Sequence, residues 1–291
     1  MNKILLKISP LVFLLFAASC IKDGFIGEDC PGDYNVSVEF PVNTDADEGT
    51  TITIIKPDGT EETITIGGGN SNINLDEGKY RIIGNTPYDK EKVAIQGENV
   101  SVMEDENGDC TDPGSFTGGL LDLDIRADKP IDSNIKVPVI QQTRPLSVRV
   151  KLLGNMAQQI TGVNSAVEGI ALSRHINHGF PPVDGEPRHP AIKETRAFYQ
   201  QTIKDDEGFY SSSRNLLGIN GDAPQKLALN VRFNKDTEVA YQYDITSDMD
   251  GFHVTDVKEP WVIEIVLQVG ADFQATIVDW KVGPETTLEA N

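Results

Sequence analysis

Three histidines, two acidic loops, two tryptophans and three cysteines hold most of the chemistry this sequence offers. His175, His178 and His189 fall in one stretch rich in glycine and proline. Three imidazoles can hold a catalytic zinc with one position left open. No acidic residue stands at a fixed spacing to serve as their base, so the stretch is expected to be solvated and to bind no metal. Asp105, Asn107 and Asp109 alternate in one acidic loop, and Asp248 and Asp250 precede Gly251 in another. Oxygen ligands at alternate loop positions suit Ca²⁺, but neither loop completes the EF-hand pattern with its central Gly and closing Glu. Trp261 and Trp280 have the amphipathic rings that sugar sites use, although Trp280 is expected to close a strand and to pack there. The chain contains no G-x-S-x-G, no H-E-x-x-H and no phosphate-binding P-loop. Catalytic residues, metals and cofactors are therefore all expected to be absent, and the protein is expected not to be an enzyme.

Cys20 offers different chemistry. Lys3 and Lys7 precede an apolar run from Ile8 to Ala18, which ends in Ala17-Ala18-Ser19-Cys20. The run is shorter than the roughly 20 residues a membrane-spanning helix needs, and its layout is that of a secretory signal. A cysteine just after small residues resembles a bacterial lipobox, in which the thiol takes a diacylglycerol. Residues 1–19 are thus expected to be a signal peptide and 20–33 a lipidated linker. Acyl chains on Cys20 would hold the protein on the outer membrane, since each buried methylene adds about 0.8 kcal/mol. Ile21-Lys22-Asp23-Gly24 resembles the export signal of surface lipoproteins in Bacteroides-like bacteria. Cys30 and Cys110 then remain. An even pair in an oxidising compartment suggests one disulfide between them, the alternative being two unpaired thiols.

The formal charge of −20 over 291 residues speaks against nucleic acid, whose phosphates need Lys and Arg. It speaks equally against an anionic lipid face touching the protein body.

The elements that must position these residues read as β almost throughout. Strands are expected at 34–42, 50–55 and 61–66, the last two joined by Lys56-Pro57-Asp58-Gly59-Thr60 as a hairpin. Others follow at 73–75, 79–83, 93–95, 99–103 and 120–127. A single edge strand is expected at 136–140, where Pro138 excludes a central one. Gln141-Gln142-Thr143-Arg144-Pro145 looks like a linker. Leu146, Val148, Val150 and Leu152 then begin a new inward alternation. Further strands are expected at 163–172, from 209, at 227–233, 239–245, 262–269 and 273–280, while 191–203 is ambiguous between helix and strand. The fold class is all-β, with two sandwiches at 34–143 and 144–291.

Several motifs occur in a familiar order. Cys20 lies shortly before Cys30-Pro31 and the first strand. Leu75-Asp76-Glu77-Gly78-Lys79-Tyr80 resembles an L-x-x-G-x-Y strand entry, Arg144-Pro145-Leu146 opens the second half, and the last strand reaches Trp280. In this order they resemble the FimB/Mfa2 family of fimbrial anchor lipoproteins. An aromatic frequent after the Tyr80 strand in that family is replaced here by Ile83-Gly84-Asn85. The resemblance implies two transthyretin-like sandwiches in tandem and a lipid-anchored, surface-facing anchor or accessory subunit of a fimbria. Its partners would be fimbrial shaft subunits (fimbrillins), bound by β-strand complementation. The tail after Trp280 is expected to be too short for a long donor strand. A surface glycan-binding lipoprotein is the alternative.

Overall fold

The computed structural model describes residues 34–39, 49–66, 70–126, 134–137, 139–179, 191–201, 205–234, 237–253 and 259–285. The expected signal region, Cys20, Cys30, His189 and the tail from 286 lie outside the described residues.

Two β-sandwiches stand in tandem. The first is built on the expected hairpin: β2 (Thr50–Ile55) and β3 (Glu61–Ile66) pair in antiparallel register. Gly59 sits at φ 82°, and the Asp58 carboxylate accepts the amide of Thr60 at 2.9 Å, closing the turn. β5 (Gly78–Asn85), β8 (Thr117–Ile125) and β10 (Ile140–Gln141) complete the sheet in the order β10-β8-β5-β2-β3. Against it packs a three-stranded sheet, β4-β1-β9 (Asn70–Leu75, Tyr34–Glu39, Asn134–Lys136), in which β1 and β9 run parallel. Ile52, Ile54, Ile82 and Ile125 meet Ile73 and Leu75 between the two layers.

The second sandwich is larger. One layer is β14-β11-β17-β18 (Tyr210–Leu216, Arg144–Leu153, Trp261–Val269, Ala275–Pro284), with β11 and β17 parallel. The alternation expected from Leu146 holds, and Leu146, Val148, Val150 and Leu152 are all buried. The other layer follows β16-β15-β12-β7-β6 (Thr237–Asp244, Lys226–Phe233, Ile160–His175, Asn99–Val102, Val93–Gln96), and β13 (Lys193–Gln201) also pairs with β12. β12 runs 16 residues through an interior glycine. Gly169 has φ 76° at a bulge, where an added Cβ would lie 2.6 Å from the Pro224 carbonyl.

Sequence order and spatial order part company in one place. β6 and β7 belong to the first half by sequence, but β7 pairs with β12, and Val93, Val100, Val102 and Phe116 pack into the second core. The single edge strand expected at 136–140 is instead two pieces, β9 and β10, on edges of different sheets, with residue 138 between them. The ambiguous segment at 191–203 is a strand, β13. β18 does not stop at Trp280, because β17 offers pairing partners as far as Trp261 opposite Pro284.

Candidate functional site

The sequence candidates for chemistry are mostly committed to structure. His175 and His178 stand 5.1 Å apart, ring to ring, at the end of β12. His175 Nδ1 accepts the amide of Asn177 at 3.1 Å, which turns the chain. Among the described residues no group of three or more His, Cys, Asp or Glu is arranged to hold a metal ion. The Asp105 carboxylate accepts the amides of Asp109 (3.0 Å) and Asn107 (2.8 Å), and these bonds hold it below the usual carboxylate range. Asp109 is buried and ion-paired with Arg196. Burial raises the Asp248 carboxyl, and an added Cβ on Gly251 would meet the Trp261 ring at 2.5 Å. Gly251 therefore serves close packing against Trp261. Trp261 is buried with the Arg144 guanidinium 5.0 Å from its ring, and Trp280 is half-buried against Tyr243, so neither is an open platform. Among the described residues Cys110 is a buried thiol with no disulfide partner, pushed up to about 12 by burial, and the expected partner Cys30 lies outside them.

Polar residues that sequence reading left unassigned join the two sandwiches. The Asn177 side chain imitates a strand, accepting the Leu120 amide (2.8 Å) and donating to the Leu120 carbonyl (2.9 Å). Gln142 Nε2 donates to the carbonyls of Gly118 and Ile176, both at 2.8 Å. Arg174 donates to the carbonyls of Gln142 (2.7 Å), Leu217 (2.9 Å) and His175 (3.2 Å). Burial draws its guanidinium down to about 9, so it remains charged at neutral pH. Ile83, Leu120 and Ile176 form a small apolar core beside this network. The junction is densely hydrogen-bonded, which fixes the orientation of one sandwich on the other.

The exposed candidate is a sheet edge. β16 and β18 end their respective sheets and approach each other along one flank of the second sandwich. Tyr241 donates to the Phe273 carbonyl at 2.6 Å, and the Phe233 and Phe273 rings stack edge-on at 4.9 Å. An edge strand bears a row of N–H and C=O groups that another chain can pair with, and charge normally guards it. β3 is so guarded by Glu61 and Glu62, and β16 by Glu238 and Asp244. β18 carries Asp279 and Lys281 as well, but beside them it presents Ile277 at 40% and Val278 at 54% exposure. Opposite the Val266–Leu267 step on β17, Asp279 and Ile277 are in register and Val278 is the extra, bulged residue. No strand pairs with the outer side of β18 among the described residues.

No protein-family model and no curated protein matches the chain. Solved structures share its fold. A candidate adhesin from Bacteroides ovatus aligns over 88% of this chain and 97% of its own, with TM-score 0.61 and 11% identity. The fimbrial anchor protein Mfa2 from Porphyromonas gingivalis aligns over 85% and 96%, with TM-score 0.52 and 12% identity. A candidate polysaccharide-binding protein from Bacteroides thetaiotaomicron aligns over 86% and 97%, with TM-score 0.51 and 8% identity. Identities this low speak to fold. The fold is that of an anchor from the family the sequence motifs resemble.

Proposed function

We propose that this chain is an adhesion-type surface protein, an anchor or accessory subunit of a fimbria, held on the outer membrane by lipid on Cys20. It engages a shaft subunit by accepting or offering a strand at the outer side of β18. The observation that carries the reading is an apolar, unpaired edge on a fold shared with a fimbrial anchor over nearly the whole of both chains. Main-chain bonds along such an edge give affinity, and side-chain pockets give specificity. The hydrogen-bonded junction suits the role, because a mounting point must not hinge.

The test uses intact, surface-labelled cells, mild crosslinking and capture of the protein with whatever accompanies it. A fimbrillin-like subunit is expected with the wild type. Cys20→Ala should release fimbriae into the medium. A paired Ile277→Lys and Val278→Lys change should abolish capture while leaving the protein at the surface. Capture of the protein alone, or of outer-membrane transporters only, would overturn the anchor reading. Capture undiminished by the lysine pair would overturn β18 as its site.

A further inference from the structure

A hollow of about 390 Å³ opens on the outer face of the six-stranded sheet, a size within the usual range for small-ligand sites. Cross-strand register orders its floor. Phe198, Ala166 and Ala228 form one row across β13, β12 and β15. Gln200, Asn164 and Asn230 form the next, a two-residue step of about 7 Å along the strands. Arg196, Glu168 and Lys226 form the row on the other side. The two alanines leave room beside the aromatic ring, and the loop through Asn107 and Asp109 makes one rim.

Two features set this hollow apart from an ordinary wet sheet face. Asn is depleted in strands, yet Asn164 and Asn230 lie directly opposite each other in neighbouring strands of the sheet. Neither amide has a hydrogen-bond partner within the protein among the described residues, so each offers two donors and an acceptor outward. Phe198 is half-buried beside them, with one edge of the row kept open by alanine. A larger hollow, about 860 Å³, lies on the other layer, where the arginine at its centre is already taken up. There Arg149 pairs with Glu264 at 3.0 Å and Glu207 at 2.9 Å and lies 4.6 Å over the Phe209 ring.

We infer that the Phe198–Asn164–Asn230 hollow binds a neutral saccharide. A sugar ring has an apolar face that stacks on an aromatic and equatorial hydroxyls that donate and accept, and the two rows present that combination one step apart. Arg196 and Lys226 are balanced by Glu168 in their own row and by Asp109 on the rim, within a chain of net charge −20. Acidic glycans therefore gain nothing here, and a neutral chain fits the field. The site is separate from strand addition at β18, which lies in the other layer.

The test places the full chain on an array of neutral oligosaccharides (manno-, xylo-, cello- and laminari-hexaose), with sialyllactose and oligogalacturonate as acidic controls. Calorimetry on the best neutral binder follows. Retention of at least one neutral oligosaccharide is expected, weakened roughly tenfold or more by Phe198→Ala and by Asn164→Ala with Asn230→Ala. Asn230→Lys, on an exposed side chain, should block binding by bulk at an unchanged thermal midpoint. Binding of no neutral saccharide, binding of acidic ones alone, or neutral binding indifferent to Asn230→Lys would each overturn the inference.

Discussion

The two sandwiches are built to different standards. Among the described residues the first is held by a few aliphatics, Ile52, Ile54, Ile73, Leu75, Ile82 and Ile125, with Tyr80 as its aromatic contribution. The second has a far larger core, with Tyr199, Phe233, Phe252 and Trp261 packed among its valines and leucines and a fully buried Arg144 inside it. Arg144 donates to the carbonyls of Phe252 (2.5 Å) and Glu259 (3.1 Å) and lies against two aromatic rings. The second sandwich also draws the β6–β7 hairpin from the first half of the sequence. The contrast teaches that the second is the structural body of the molecule, while the first is a lighter module fastened to it.

Cutting the chain at the sequence boundary should break that contrast most severely. A fragment of 144–291 lacks Val93, Val100, Val102 and Phe116. At about 1.5–3 kcal/mol for each fully buried side chain, their loss is of order 10 kcal/mol, comparable to a whole domain's stability. That fragment should show no cooperative thermal transition and no near-ultraviolet circular dichroism, whereas a chain that retains residues 86–116 should show both. A cooperative 144–291 fragment would make the hairpin an ornament of the second core.

Arg144→Ala comes next. It removes charged hydrogen bonds to the Phe252 and Glu259 carbonyls, worth about 1.5–3 kcal/mol each, together with its packing on two rings, so the urea midpoint should fall markedly, while Arg126→Ala on the exposed end of β8 should leave it within error. Asn177→Ala removes both bonds to the Leu120 backbone and should lower stability by about 1–3 kcal/mol. Its sharper readout is hydrogen exchange, which should accelerate at the Leu120 amide before it does in β11 or β17.

The smallest effect is acid sensitivity. Asp58, Asp105 and Asp244 accept hydrogen bonds that lower their carboxyls below the unfolded value. Each therefore stabilises the fold above the unfolded carboxylate range near 4 and loses that contribution as pH falls through its folded value. The thermal midpoint should decline below about pH 4, and Asp58→Asn should flatten that decline in the first sandwich only.

The sequence showed what is local. Pro57, Asp58 and Gly59 dictate their hairpin, and the strict alternation from Leu146 to Leu152 dictates β11. It concealed what depends on distant partners. Gln141-Gln142-Thr143-Arg144-Pro145 has a linker's composition, yet Gln142, Thr143 and Arg144 are buried because carbonyls elsewhere need their donors. Gly169 looks like a strand breaker, but the Gly169 carbonyl accepts from Gln225 and the bulge carries β12 onward. The Phe198 segment resisted assignment because Arg196, Phe198 and Gln200 face outward beside a ladder that its own sequence does not reveal. Trp261 and Trp280 drew notice as large rings, whereas the open ring beside unpartnered amides is Phe198.

The borrowed hairpin also sets a timetable. β6 and β7 are synthesised long before Ser173, Arg174 and His175, the residues of β12 that β7 pairs with. Until those residues emerge, Val93, Val100 and Val102 have no core to enter, and the first sandwich closes around a protruding, sticky loop. A chain folding from its amino end thus passes through an interval of exposed apolar surface, the kind of species that aggregates or recruits chaperones. Slowing synthesis between residues 116 and 173 should lengthen that interval, and shortening the delay should protect the yield.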